Sequence, residues 1–422
     1  MEIIEEENMR EQFSTEEETL LQLLQCAMSG KPDIGQIPIN QADCRKLVEI
    51  AGRHAVLSLL AQVNLEGLFE KQEMDRIMTE ARQTVQKSYH LLFCSRYVLQ
   101  RLLDHGIQAV LLKGAATASC YPTPELRKSG DVDIMLTCPT DIDRACEILE
   151  QDGFTMKEEQ HANHHRVLVS PDQIDVEIHT MLAEPFDDRT ANRYLQTLQQ
   201  ELGACSGIEN VMGIELPVLR DGYHAFELLL HMLQHFLRAG FGLKLLCDWV
   251  CFWNRPVAKE EIRCYLRLIR EIGLTDFSDM ITSLCVHYLG LQGRKEGGIR
   301  MEEDQILYDG GLFGMLLPQK ICSEYMKEIL AAEEFGHSSS ERMVMLRGTA
   351  PADYFREFHH QMQLNYPRAQ SCVICWPVLW VMTLCRFLVN NRKIRKTSSL
   401  KILKTAGNRS RMMSQLHLFH VR

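Results

Sequence analysis

The sequence lacks any segment typical of a secreted or membrane-spanning protein. Met1–Glu18 is acidic, where a signal peptide needs a basic end followed by an apolar run. The strongest apolar run, Cys372–Cys385, has fourteen residues, contains Pro377 and is followed by Arg386, whereas a helix that crosses a bilayer needs about twenty. We therefore expect a cytoplasmic protein in which this run forms a buried helix, with an interfacial helix as the alternative.

A disulfide framework is also absent from the pattern of cysteines. Fifteen cysteines are scattered over 422 residues without regular spacing, which is typical of a reducing compartment. Two close pairs, Cys247 with Cys251 and Cys372 with Cys375, lie among apolar residues and have no second pair at zinc-finger spacing. We expect these cysteines to be buried thiols.

Acidic residues are missing from the C-terminal end. Arg386–Arg422 contains ten Lys and Arg and no Asp or Glu, although the whole chain has a net charge of −10. Such a segment is usually solvated and partly disordered, and it could make weak contact with an anionic membrane surface. Because no aromatic residues are interleaved for base stacking, nucleic acid is not an expected partner.

A strand and a glycine turn begin the stretch around which the chain is organised. The apolar run Ala109–Leu112 predicts a buried strand, and Lys113-Gly114 with the small residues that follow suits a turn into a helix. The segment Tyr121–Gly130 is rich in turn residues and leads into a second strand. This order predicts a core of strand, turn, helix and strand.

Two carboxylates share one face of the second strand. Asp131 and Asp133 alternate with Val132 and Ile134, so period two puts both acids on one side, about 7 Å apart at Cα. Carboxylates at this spacing can bridge two Mg²⁺ ions, which lie roughly 3.5–4 Å apart in phosphoryl-transfer sites. The alternative is a solvated edge strand that carries two acids.

A hairpin about forty residues later supplies a third acid. His164–Val169 and Ile174–His179 read as its two strands, and period two places Asp175, Glu177 and His179 on one face. A third carboxylate could therefore face the first two. Three acids on two strands, beside a glycine turn, predict an active site.

These residues, in this order, resemble the polymerase-β-like nucleotidyltransferase superfamily. They are more closely similar to the bacterial uncharacterised nucleotidyltransferase family, in which Lys-Gly replaces the superfamily's usual Gly-Gly or Gly-Ser. The matching positions are Lys113, Gly114, Tyr121, Arg127, Asp131, Asp133, Glu177 and His179.

The resemblance implies that Asp131, Asp133 and Glu177 are catalytic carboxylates that hold two Mg²⁺ ions, with Mn²⁺ as an alternative. Asp175 competes for the third role because it lies on the same strand face. No serine follows Gly114, so Lys113 or backbone amides would have to replace a hydroxyl that many superfamily members aim at the phosphates.

The resemblance also implies a set of nucleotide-binding residues. They are Lys113, Gly114, Arg127, His179 and Lys244. Arg127 would help to stabilise the triphosphate if it folds inward. Lys244 and Asp248 are similar to family positions, although Asp248 could equally cap its helix or pair with Lys244 at i and i+4.

Two groups of histidines stand near these motifs. His161, His164 and His165 are more readily explained as satisfied strand histidines or substrate contacts than as Mg²⁺ ligands, because Mg²⁺ prefers oxygen. His224, His231 and His235 lie on one face of a predicted helix, Asp221–Leu237. That face points either to the nucleotide or acceptor pocket or to ordinary helix packing.

The remaining pattern is mostly helical. Thr15 with Glu18 fits an N-terminal capping box, and the predicted helices are Glu16–Cys26, Gln41–Gly52, Ala55–Leu65, Lys71–His105 and Pro139–Asp152. A short strand is predicted near Val211–Val218. The fold class is therefore α+β, with an α/β core: a small mixed β-sheet nucleotidyltransferase core flanked by helical regions.

We expect five regions along the chain. They are an N-terminal helical region at 1–105, the catalytic core at 106–182, a helical region at 183–290 that completes the nucleotide and acceptor site, a C-terminal helical region at 291–391, and the basic tail at 392–422.

The expected activity is transfer of a nucleoside monophosphate from a nucleoside triphosphate, such as ATP, to an acceptor hydroxyl with release of pyrophosphate. The acceptor could be a small molecule, a saccharide or a protein. The alternatives are a catalytically silent nucleotide-binding or regulatory module of the same fold, and a metal-dependent phosphohydrolase that uses the same carboxylates.

Overall fold

The computed structural model describes most of the chain. The described residues are 13–31, 37, 42–157, 165–186, 188–238, 240–292, 316–331, 373–390 and 415–419, with single positions between 355 and 366. They fall into two compact units: one comprises Met1–Gln234, Phe241–His337 and Phe419–Arg422, and the other His235–Gly240 and Ser338–Leu418. His161, His164, Cys372 and residues 392–414 and 420–422 of the basic tail lie outside the described residues, as does most of the predicted C-terminal helical region at 291–391.

The N-terminal part of the first unit is helical, as predicted. Its helices are α1 (Thr15–Ser29), α2 (Cys44–Arg53) and α3 (Lys71–Asp104). The predicted capping box is wrong by one residue, since Ser14 and Glu17 form it; Ser14-x-x-Glu17 and Thr15-x-x-Glu18 both satisfy the sequence rule. The predicted helix Ala55–Leu65 is instead a 3₁₀ segment, Leu57–Gln62. Ala55, which has a φ of 56°, lies outside this segment.

Helix α3 delivers the chain into the sheet. It ends at Asp104, and Gly106 follows with a φ of 75°, a conformation that glycine adopts without a steric penalty. Leu91, Leu99 and Leu102 on its inner face pack into the hydrophobic core with the strands. The predicted helix stop at Gly106 is confirmed.

A seven-stranded mixed sheet forms the centre of the first unit. Its strands are β1 (Ala109–Leu111), β2 (Val132–Leu136), β3 (Thr155–Met156), β4 (His165–Val169), β5 (Asp175–His179), β6 (Ser206–Val211) and β7 (Ile214–Leu219). The order is β3-β4-β5-β2-β1-β7-β6. Strand β2 pairs antiparallel with β1 and parallel with β5, so the two acid-bearing strands are direct neighbours.

The segment predicted as one short strand, Val211–Val218, is the turn and second strand of a hairpin. Met212 and Gly213 both have positive φ, 51° and 87°, which fits a tight turn between antiparallel strands, and β7 pairs in parallel with β1. Methionine at the first turn position is not a recognisable hairpin signal. The sheet therefore continues past residue 182, where the sequence placed the end of the core.

Helices complete both units. They are α4 (Gly114–Ala118), α5 (Ile142–Gln151), α6 (Arg189–Glu201), α7 (Asp221–Arg238), α8 (Leu243–Asn254), α9 (Lys259–Ile272), α10 (Thr275–Tyr288), α11 (Gln319–Leu330) and α12 (Trp376–Asn390). The α+β fold class, with a mixed sheet flanked by helical regions, is confirmed.

The apolar run near the C-terminus forms α12, yet most of it is not buried. Ile374 is 91% exposed, and Val378 and Val381 are more than half exposed, whereas Leu379 is buried. The expectation of a buried helix is therefore wrong here, as is that of a buried Cys375, which is exposed. Across the described residues, none of the helices combines the length and apolar character that a membrane crossing requires.

Candidate active site

Asp131 and Asp133 lie at the start of β2, where period two separates them from the core. Val132 and Ile134 belong to the hydrophobic core, so the acids take the other face. Asp133 is nevertheless only 4% exposed, because Lys113 and His179 cover it. Its carboxylate is therefore not the surface-facing group that alternation alone would give.

The register between β2 and β5 brings Glu177 beside Asp133. The two residues are direct partners in the parallel ladder. His179, on the same face of β5, donates from Nε2 to Asp133 Oδ1 at 2.9 Å and lies 3.4 Å from Glu177 Oε2. The sequence-predicted residues Asp133, Glu177 and His179 thus meet across two strands.

Asp175 shares the strand face but has a different partner. Its carboxylate accepts hydrogen bonds from Lys157 Nζ at 2.6 and 2.7 Å, and its side chain is 43% exposed. It pairs with Val169 on β4 at the beginning of β5. These contacts favour Glu177 over Asp175 as the third acid.

The carboxylate oxygens suit a hard cation. One polar side-chain atom from each of Asp133, Glu177 and His179 lies within 4.8 Å of the others, and because His179 Nε2 donates to Asp133, the acids are the groups that can bind a metal. The pKa of Asp131 is raised to about 6, first by the neighbouring charge of Asp133 and then by burial. Crowded carboxylates of this kind are stabilised by a bound divalent ion, so these residues fit the metal that the resemblance implies.

Both cations that cover Asp133 are held in their charged forms. Burial by itself lowers the pKa of His179, but hydrogen bonds to Asp133 and Glu177 outweigh it and raise the pKa to about 9. Burial likewise opposes the charge on Lys113, yet Asp133 and other nearby carboxylates raise its pKa above the usual range. In turn, Lys113 and His179 outweigh burial and hold the pKa of Asp133 well below its usual value.

Lys113 occupies a strained backbone position. Its φ is 36° and its ψ is −137°, a region that residues with a Cβ rarely adopt. The Leu112 amide donates to the Asp133 carbonyl at 2.9 Å, which brings Lys113 alongside the acid, and Lys113 Nζ lies 3.1 Å from Asp133 Oδ1. The turn thus accepts strain to place an ammonium group against the carboxylates.

We predict that Lys113→Gly is more stable than Lys113→Ala by about 1 kcal/mol or more, because glycine removes the strain while both variants lose the ammonium group equally. Urea denaturation of the two variants measures this difference directly. Both should lose activity to a similar extent. If Lys113→Ala equals or exceeds Lys113→Gly in stability, the backbone at this position is not strained.

Arg127 folds inward, as the expected contact with the triphosphate requires, but its hydrogen bonds go to other protein groups. It is 4% exposed, and it donates from Nε and Nη2 to the two carboxylate oxygens of Asp248 at 2.6 and 2.8 Å. Nη1 donates to the Gly114 carbonyl at 3.1 Å and to Ser129 Oγ at 2.6 Å. Asp248 therefore forms its ion pair with Arg127, while Lys244 was the partner that sequence spacing offered.

Helix α7 packs against α4, which follows the Lys113-Gly114 turn. His224 Nε2 lies 3.1 Å from Thr117 Oγ1, and its ring lies edge-on to Phe252, so this histidine serves packing. His231 and His235 are partly buried on the same helix. Of the two alternatives for this histidine face, helix packing therefore applies to His224.

Glu227, one turn beyond His224, is a residue that the sequence reasoning missed. It is 1% exposed, and its Oε2 has no hydrogen-bond partner among the residues that the structure describes. Burial first, and also Asp133, raises its pKa to about 7, whereas Lys113 opposes the shift. An acid within an otherwise apolar helical stretch was the one signal that could have marked it.

Lys244 lies near the start of α8. Burial and the charge of Arg127 lower its pKa to about 8, whereas Asp248 and Asp131 oppose that shift.

Of the strand histidines, His165 pairs with His179 across β4 and β5, with ring centroids 5.6 Å apart. Both residues border the acidic face of the sheet.

Comparison with protein families identifies the family to which this chain belongs. Residues 40–290 match the model of a family described as uncharacterised nucleotidyltransferase. Because the match spans more than half of the chain, the protein belongs to the uncharacterised nucleotidyltransferase family. The predicted family relationship is confirmed.

Two further comparisons add little. A solved structure, an antigenic nucleotidyltransferase-like protein from Paracoccidioides brasiliensis, is similar at 17% identity over 48% of this chain and 93% of that chain, with a TM-score of 0.30. A TM-score this low supports no conclusion about the fold. No curated protein matches the sequence.

Proposed function

We propose that this protein transfers a nucleoside monophosphate from a nucleoside triphosphate to an acceptor hydroxyl. The acceptor oxygen forms a bond to the α-phosphorus, the bond from that phosphorus to the bridging oxygen breaks, and pyrophosphate leaves. The observation that carries the proposal is the parallel register that sets Glu177 directly beside Asp133. Family membership supports the same class of reaction.

In this proposal, each side chain of the site has a role that follows from its chemistry. Asp131, Asp133 and Glu177 would hold two Mg²⁺ ions, with Mn²⁺ as an alternative, and His179 would orient Asp133 and Glu177 by hydrogen bonds. Bound ions of this kind neutralise phosphate charge and make an acceptor hydroxyl more acidic. Glu177 would complete one metal site and so make the acceptor hydroxyl more acidic, or it would take the hydroxyl proton.

The nucleotide's phosphates would be held beside the Lys113-Gly114 turn. Lys113 supplies a charged ammonium group at the acids, and Lys244 lies close enough to Asp131 for their charges to interact. Triphosphate binding would add negative charge, so two lysines near the acids favour it electrostatically.

Residues 183–290, which contain the β6–β7 hairpin as well as helices α6 to α10, would take part in forming the site. Asp248 on α8 binds Arg127, and His224 on α7 contacts Thr117. We therefore retain 183–290 as the region that completes the nucleotide and acceptor site. The contact of the basic tail with anionic membrane surfaces stays a prediction from sequence.

The test is to incubate the full-length protein with Mg²⁺, a host lysate and a nucleoside triphosphate labelled at the α-phosphate. Covalent transfer of label to an acceptor, matched by pyrophosphate release, is the expected result. Release of inorganic phosphate without transfer would identify a phosphohydrolase instead. Nucleotide binding without turnover would identify a catalytically silent module.

A further inference from the structure

We propose that Tyr121, Arg127 and Asp248 form a buried positioning unit that holds the Lys113-Gly114 turn in the geometry needed for the nucleotide. This inference rests on the proposed function. It assigns to Asp248 and Tyr121 a role in the reaction, and it makes Arg127 a positioning residue instead of a phosphate ligand.

Asp248 is the centre of the unit. Its Oδ1 accepts from Tyr121 Oη at 2.6 Å and from Arg127 Nε at 2.6 Å, and its Oδ2 accepts from Arg127 Nη2 at 2.8 Å. All three residues are buried. The bidentate geometry fixes the plane and direction of the guanidinium group.

Arg127 connects Asp248 to the Lys113-Gly114 turn by a hydrogen bond. Its Nη1 donates to the Gly114 carbonyl and to Ser129 Oγ, so four of the five N–H groups that a guanidinium carries are already bonded. A phosphate would have to displace these partners to receive a fork of two hydrogen bonds. The guanidinium therefore holds the protein backbone.

The turn needs such a restraint. Lys113 is in an unfavourable backbone conformation, which persists only where surrounding contacts fix it. Its carbonyl accepts the Thr117 amide at 3.1 Å, and the next carbonyl, that of Gly114, accepts from Arg127. A buried ion pair contributes little net stability by itself, so its geometric effect on the turn is the more informative property.

The experiment compares Asp248→Asn and Tyr121→Phe with a matched control, Asp152→Asn. Asp152 also forms a bidentate pair, with Arg101 at 2.6 and 3.0 Å, between α3 and the end of α5. All variants are assayed well below their melting temperatures, with kcat and KM for the triphosphate measured separately and amide hydrogen exchange followed at Ala115–Thr117.

We expect Asp248→Asn to lower kcat/KM by roughly tenfold to a hundredfold, because a displacement of about 1 Å can cost that much. Tyr121→Phe, which keeps the ion pair, should lower it by about threefold to tenfold, as loss of one hydrogen bond predicts. Both should speed exchange at Ala115–Thr117. Asp152→Asn should lower stability while leaving kcat, KM and this exchange unchanged.

Two outcomes would overturn the inference. The first is that the wild-type protein is active and the Tyr121→Phe variant matches it in both kcat/KM and exchange at the turn. The Tyr121→Phe result decides the matter if Asp248→Asn does not fold. The second is that the control variant Asp152→Asn loses as much kcat/KM as Asp248→Asn does. A wild-type protein without turnover would instead refute the proposed function, and exchange at the turn would still show whether the unit holds it.

Discussion

Asp133→Asn is expected to abolish nucleotidyl transfer and to weaken the fold, whereas Asp131→Asn is expected to abolish transfer without weakening it. Both changes remove a charge that would bind the metal, and loss of a central electrostatic contact costs roughly a hundredfold or more in rate. The two acids differ in their protein partners, which is why their effects on stability should differ.

Asp133 neutralises two buried cations. Lys113 Nζ lies at 3.1 Å and His179 Nε2 at 2.9 Å from the same carboxylate oxygen. Asp133→Asn would leave both with a weaker partner, at a cost of roughly 1–3 kcal/mol. An exposed acid could be replaced by its amide without weakening the fold, but Asp133 is buried.

Asp131 is repelled by the carboxylates of Asp133 and Glu177. Its pKa is raised from 3.8 to about 6, by Asp133 first and by burial second, so its ionised form destabilises the folded state above about pH 6. Asp131→Asn should therefore stabilise the metal-free protein there, by on the order of 1 kcal/mol. The gain should fade as the pH falls from about 6 towards 3.8, because the acid is then protonated in both the folded and unfolded states.

Transfer assays with and without Mg²⁺, and urea denaturation of EDTA-treated protein at several pH values, measure both effects. Titration with Mn²⁺ should show weakened metal binding in each variant. Near-normal transfer by either variant would refute the two-metal assignment. If Asp131→Asn lost as much stability as Asp133→Asn, the conclusion that Asp133 is stabilised by Lys113 and His179 while Asp131 is repelled by Asp133 would be refuted.

Glu177→Gln is expected to lower transfer by at least roughly a hundredfold, the loss typical of removing acid–base help. Glu177 is the ladder partner of Asp133 and contacts His179. Burial opposes its ionisation, but the hydrogen bond from His179 and nearby positive charge hold its pKa below the usual value. It is therefore ionised at neutral pH and ready to bind metal.

Asp175→Asn is the matched control, because it removes the same charge from the same face of the same strand. Its carboxylate binds Lys157 and is substantially exposed, so transfer should change by less than about threefold, in keeping with the small effect of an exposed ion pair. Steady-state rates of both variants decide the assignment. A larger loss in Asp175→Asn than in Glu177→Gln would reverse the roles of these two acids.

The sequence by itself determined the local pattern of the site. Alternation along β2 put Val132 and Ile134 in the core and so set the face of the two aspartates. The same period placed Val176 and Ile178 on the buried face of β5 and placed Glu177 and His179 together on the opposite face. These features follow from the two-residue repeat of a strand, which needs no knowledge of the partner strand.

Tertiary structure decided which of these groups meet. The β2–β5 register selected Glu177 over Asp175 as the neighbour of Asp133, although both satisfied the local pattern. Asp248 forms its ion pair with Arg127, 121 positions away in the sequence, whereas local helical spacing had suggested Lys244 as its partner. Burial also set Glu227 close enough to Lys113 for their charges to interact. Strand register and the pairing of buried charges depend on how distant segments pack, because partners from anywhere in the chain compete once water is excluded.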